Sequence, residues 1–159
     1  MHGTAFHNLY EAHAKDIYRY ARFLTASDDA AAEITSETFL RAWVGRDRIR
    51  AETAKAYLLT IARNLARDRQ RFDSRWPGAE VPEQFVAPNA EARLELRRTL
   101  EAIRALPIAY REPLMLAAIG VDFAEIGRVL GISVSTVKIR VHRARLKLTA
   151  ATTESPRSR

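Results

Sequence analysis

The sequence predicts an all-α protein made of two small helical domains joined by a flexible linker. Three observations lead there. No stretch alternates apolar and polar residues as a strand does, while Ala, Leu, Arg and Glu abound and apolar residues recur at helical spacing. Between Asp73 and Arg93 that periodicity fails, and Trp76-Pro77-Gly78, Pro82 and Pro88 break any helix. The division is therefore residues 1–72, a linker at 73–93, a second domain at 94–150 and a disordered tail at 151–159.

In the first domain, a helix from Thr4 to Leu24 sets Phe6, Leu9, Tyr10, His13, Ile17, Tyr20, Ala21 and Leu24 on one stripe. Ser27 and Asp28 can cap a second helix, Asp29 to Val44, with Ile34, Phe39, Leu40 and Trp43 as its apolar residues and Gly45 as its end. A polar loop, Gly45 to Glu52, follows. Thr53 can cap a third helix reaching Phe72, with Tyr57, Leu58, Ile61, Ala62 and Leu65 inward. After the linker, Glu91 to Ala105 is helical until Pro107. Because Pro113 lacks an N–H, Ile108 to Glu112 is expected as an irregular turn, with a helix from Pro113 to Ile119 ended by Gly120.

The segment Asp122 to Leu148 reads as a helix-turn-helix. Asp122 can cap its first helix, and Glu125 is placed to complete a capping box. Gly127 is small where two helices must cross closely, and Gly131 suits a turn that requires positive φ. Ile132 plugs the corner, Ser133 caps the second helix, and Val137, Val141 and Ala144 face inward. Lys138, Arg140, Arg143, Arg145 and Lys147 then occupy the outside with no acid from Ser133 to Leu148, which suits a helix in the major groove. Ser135, Thr136, Lys138 and Ile139 are placed for base edges, and Arg140, Arg143 and Arg145 for phosphates. A solvated basic helix is the plainer alternative.

Composition narrows the function. The chain has 159 residues, a formal net charge of +7 and no cysteine. Twelve basic and nine acidic residues lie in 1–72, two and four in 73–93, and ten and five in 94–150, so two basic blocks flank an acidic connector. That distribution fits two separate contacts with nucleic acid, although an ordinary basic surface also accounts for the total. No apolar run approaches the roughly 20 residues of a membrane span, and Met1 to Leu9 carries no secretory signal, so a cytoplasmic location without membrane insertion is expected. His2, His7, His13 and His142 form no metal cage. Neither clustered carboxylates, a nucleophile elbow nor a phosphate-cradling glycine loop is present, so no enzyme, cofactor or small-molecule substrate is expected.

Four motifs in order, AAAEITSETFLRAW (Ala30 to Trp43), AYLLTIARNLARDRQR (Ala56 to Arg71), LPIAYREPLML (Leu106 to Leu116) and STVKIRVHRAR (Ser135 to Arg145), resemble the sigma-70 family in its small extracytoplasmic-function (ECF) group. The chain departs from that pattern in having Ala32-Glu33 for Glu-Asp, Ser135 for Gly and Ile139 for Ser. The resemblance implies a region 2-like domain, a region 4-like helix-turn-helix domain, and two large partners, core RNA polymerase and promoter DNA. It also implies that Glu33, Glu37, Phe39, Leu40, Arg41 and Trp43 meet the polymerase. Asp47, Arg48, Arg50, Arg63, Asn64, Arg67, Asp68 and Arg71 would hold the opened -10 element, where a base is extruded. Ser133, Ser135, Thr136, Lys138, Ile139, Arg140, His142, Arg143 and Arg145 would read the -35 element. The acidic linker, with Asp73, Glu80, Glu83 and Glu91, would thread the polymerase, although a plain flexible tether accounts for its composition equally well, and an anti-sigma factor is an expected partner. A stand-alone helix-turn-helix regulator is the alternative reading.

Overall fold

A computed structural model describes residues 2–25, 27–72 and 88–153, with backbone alone for residues 70–72. Seven α-helices account for most of them, and no strand occurs among the described residues: α1 (Gly3–Leu24), α2 (Asp28–Val44), α3 (Ala54–Phe72), α4 (Ala90–Ala105), α5 (Ile108–Ala118), α6 (Phe123–Leu130) and α7 (Val134–Thr153). Two single 3-10 turns, Arg46–Arg48 and Ala51–Thr53, shape the loop between α2 and α3.

Helices α1, α2 and α3 pack on one another as a first unit, and α7 packs on α4, α5 and α6 as a second. Ile17, Tyr20, Ile34, Phe39, Leu58 and Leu59 fill the first core, while Ala21, Ala31, Ala42, Ala62 and Ala66 let the helices approach closely. Leu116, Ile126, Val137 and Val141 fill the second. Each such aliphatic side chain taken out of water contributes about 1.5–3 kcal/mol. The two units also touch, α3 against α6 and α1 against α5.

The corner between α1 and α2 is fixed by polar groups. Ser27 Oγ accepts from the Ala30 amide at 3.1 Å, so the expected cap is present. Asp28 accepts from Arg22 Nε at 2.9 Å and from the Tyr18 hydroxyl at 3.0 Å, and Arg22 Nη1 donates to the Thr25 carbonyl at 3.0 Å.

Three expectations are corrected. Residues Ile108 to Glu112 are not an irregular turn: α5 runs unbroken through Pro113. Pro107 sits at its N-cap and its carbonyl accepts from the Tyr110 and Arg111 amides, so the helix is already closed when Pro113 removes one bond, and burying Pro113 in the core offsets that loss. Helix α7 extends to Thr153, so the first residues assigned to a disordered tail are helical. Helix α4 starts at Ala90, capped by Asn89 Oδ1 on the Ala92 amide at 2.8 Å, inside the stretch assigned to the linker. Asp73, Trp76, Pro77, Gly78, Glu80, Pro82 and Glu83, the Arg71 side chain and residues 154–159 lie outside the described residues.

Candidate nucleic-acid interface

The helix-turn-helix is built as its local sequence dictates. Asp122 Oδ1 accepts from the Glu125 amide at 2.8 Å, Gly131 takes φ 69° and ψ 35°, and the Ile132 amide bonds the Gly127 carbonyl at 3.0 Å. Ser133 Oγ accepts from the Thr136 amide at 3.1 Å and lies 2.8 Å from the Thr136 hydroxyl. The expected capping box is half formed, because Glu125 supplies its amide while its carboxylate lies within electrostatic reach of His13 on α1.

Val137, Val141 and Ala144 seat α7 on the domain, leaving Ser135, Lys138, Ile139, His142, Arg143 and Arg145 in solvent. Arg140 is half-buried beside them. Ile139 is 50% exposed, so it belongs to the outward face and not to the core. Lys147 is turned aside, its Nζ 5.5 Å from the Tyr110 ring. What the helix offers is a mixed first turn of hydroxyls, one amine and one branched apolar side chain, followed by cations. That order suits base edges first and phosphates after.

The second basic surface lies on α3. Asn64, Arg67 and Asp68 are exposed along one side, with Arg48 and Arg50 in the preceding loop and Asp47 at its start. Arg63 belongs to the same ridge by sequence, yet its guanidinium is turned to the second unit, where Nε and Nη2 donate to Glu112 at 3.1 and 3.0 Å. The spacing of arginines on α3 predicts the ridge; no local signal predicts the partner, which is 49 residues away.

Helix α2 separates the residues expected to meet polymerase into two sets. Leu40 is 61% exposed and Trp43 39%, with Val44 beside them, an apolar edge flanked by Glu33, Glu37 and Arg41. Phe39 is a core residue, packed edge-on against the Tyr10 ring at 4.8 Å, which removes it from that edge. Glu37 pairs with Arg41 at 3.1 Å one turn along. Two residues went unremarked in the sequence: Arg69, which bridges to Glu33 at 2.7 Å across the α2–α3 groove, and Arg46, stacked 4.0 Å over the Trp43 ring. The adjacency of Trp43 and Arg46 around a helix end was the one available signal for the latter.

Of the described helices, none is long and apolar enough to cross a membrane. Comparison with known proteins matches both units. A family described as Sigma-70 region 2 covers residues 9–75, and one described as Sigma-70, region 4 covers residues 96–148. The ECF RNA polymerase sigma factor SigL of Mycobacterium tuberculosis is 33% identical, the match covering 86% of this chain and 82% of that protein. The RNA polymerase sigma factor NccH of Alcaligenes xylosoxydans xylosoxydans is 30% identical over 92% of this chain and 86% of its own length. Among solved structures, CnrH in complex with the cytosolic domain of CnrY has 29% identity and a TM-score of 0.75, covering 98% of this chain and 92% of that one. With an exposed basic helix in one unit, an arginine-bearing helix in the other and both regions matched in order, the chain belongs to the sigma-70 family, in its extracytoplasmic-function group of RNA polymerase sigma factors.

Proposed function

We propose that this sigma factor grips core RNA polymerase with the exposed edge of α2 and reads promoters at two places, the -10 element with α3 and its preceding loop and the -35 element with α7. The observation that carries the reading is the outward face of α7, which has no acidic residue and is held clear of the body by the Val137, Val141 and Ala144 seat. On α2, Leu40 and Trp43 supply a desolvated anchor, and Glu33, Glu37 and Arg41 supply charge and register. On α3, Asn64 and Asp68 offer hydrogen bonds to an extruded base while Arg67 and Arg71, with Arg48, Arg50 and Asp47 of the loop, hold the strand. On α7, Ser135, Thr136, Lys138 and Ile139 face bases; Ser133, Arg140, His142, Arg143 and Arg145 face the backbone.

The linker ties both contacts into one event, so binding at either element raises the effective concentration at the other. The work is that of an initiation factor in the cytoplasm, with the chemistry left to the polymerase. An anti-sigma factor that covers the Leu40 and Trp43 edge, or wedges between the units, would hold it inactive.

Run-off transcription with purified core polymerase on genomic templates tests this reading. Added protein should create new promoter-specific starts, and Arg140→Glu with Arg143→Glu should abolish them while leaving core association intact. Unaltered starts with that double variant, or tight duplex binding without polymerase, would overturn the reading in favour of a stand-alone regulator.

A further inference from the structure

We infer that Glu112 is an internal stand-in for a DNA phosphate, which holds the second helical unit closed over the arginine ridge of α3 until polymerase or promoter displaces it. The inference rests on the -10 reading of α3 given above.

Arg63 and Glu112 form a two-bonded fork, Nε and Nη2 donating at 3.1 and 3.0 Å to the two carboxylate oxygens. A phosphate presents the same pair of oxygens to a guanidinium, so the two ligands are interchangeable in geometry. Both side chains are nearly buried, at 14% and 12% exposure, and they come from opposite sides of the linker. Breaking such a pair with nothing to replace it is strongly unfavourable, whereas exchanging the carboxylate for a phosphate keeps the guanidinium satisfied. The contact therefore resists spontaneous opening yet yields to DNA.

The surroundings fit a contact built to open. The Tyr20 hydroxyl on α1 is completely buried and has no hydrogen-bond partner among the described residues, and it lies within electrostatic reach of Glu112, Arg63 and Arg67. A buried hydroxyl left without a partner beside the pair is a standing cost of the closed arrangement. Glu125 on α6 lies within electrostatic reach of His13 on α1, so a second acid of the helix-turn-helix unit acts on the first unit. Contacts between domains of one chain are commonly polar and separable in this way. Because the linker keeps Glu112 close, a free phosphate in solution competes poorly, while polymerase-held DNA competes well.

The chain has no cysteine, so Lys15→Cys and Thr149→Cys, both at exposed positions, accept a dye pair that reports the separation of the two units. In the full-length protein, Glu112→Gln should lengthen that distance and tighten binding of a mixed-sequence single-stranded DNA of about twenty nucleotides by about three- to tenfold. Arg63→Gln should lengthen the distance equally without any gain in DNA affinity, since it removes a cation from the ridge. Wild-type distance and affinity in Glu112→Gln would overturn the inference. If far-UV circular dichroism shows that variant unfolded, an unchanged distance in Arg63→Gln overturns it instead. Run-off transcription by the wild type separates the two proposals: promoter-specific starts with unmoved distances sink the latch alone, and absent starts with the distances lengthened sink the function alone.

Discussion

Gly127 and Ile132 meet backbone to backbone, so that a β-carbon on Gly127 would stand 2.7 Å from the Ile132 carbonyl oxygen. That obstacle is main chain at the tightest point of the turn and cannot swing aside, so Gly127→Ala must push α7 away from α6. The expected cost is about 1–3 kcal/mol of stability, as for an overpacked core. The displaced helix should also lose -35 recognition while core polymerase still binds. A urea midpoint read beside run-off transcription checks both; a variant with wild-type promoter output would show that the crossing is loose.

Arg22 is 7% exposed and Asp28 half-exposed, which makes their ion pair asymmetric. Asp28→Ala leaves a buried guanidinium with the Thr25 carbonyl as its remaining hydrogen-bond partner among the described residues, and should cost about 3 kcal/mol. Arg22→Met removes the charge together with its need for a partner, keeps the packing stem, and should cost about 1 kcal/mol. Denaturant melts of the two variants decide the order. The reverse order would mean that the Arg22 bond to the Thr25 carbonyl and the Ser27 cap hold the corner, and not the pair with Asp28.

The elements legible in the sequence are those whose determinants are local. Asp122, Gly131 and Ser133 each act within four residues, and the helix-turn-helix appears as they specify. The span of α2 is legible from its Ser27 cap and Gly45 end, but its buried face is less so because it is partly polar. Thr35 and Thr38 are buried with their hydroxyls bonded to the Ala31 and Ile34 carbonyls at 2.8 and 2.7 Å, so neither leaves an unsatisfied group, while the more apolar Leu40 is left outside. In α5, Pro113 signals a break by local sequence, and only tertiary packing shows that it is tolerated. The Arg63–Glu112 contact has no local signature at all, since either residue alone is one more charged group on a helix.

His13 on α1 gives the fold a pH dependence whose direction is set by burial. Burial first, and then the Lys55 ammonium, hold its pKa below the ordinary histidine value, against a smaller upward pull from Asp16 and Glu125. The folded state therefore keeps the ring neutral where the unfolded chain protonates it. Stability is complete above about pH 6.5 and falls as the pH drops from there toward the lowered folded pKa, below which the slope flattens. His13→Asn should flatten the urea midpoint between about pH 7 and pH 5 relative to the wild type. An unchanged slope would place the titration elsewhere.

Leu40 offers the cleanest test of the polymerase edge on α2. Trp43 is the larger target but serves the fold too, its ring lying 5.0 Å edge-on to Phe6 and beneath Arg46, so truncating it confounds binding with stability. Leu40 is 61% exposed, and a polar side chain there returns little buried surface to water. Leu40→Asp should therefore leave stability within about 0.5 kcal/mol of the wild type. At the centre of a docked interface the same change places a charge where an apolar anchor belongs, and should weaken core association by about 2 kcal/mol or more, in the range of a binding hot spot. Competition against a second sigma factor for limiting core polymerase measures the loss, with a thermal melt as control. Equal competition by the variant, with its melting temperature unmoved, would mean that polymerase docks on another face of the first unit.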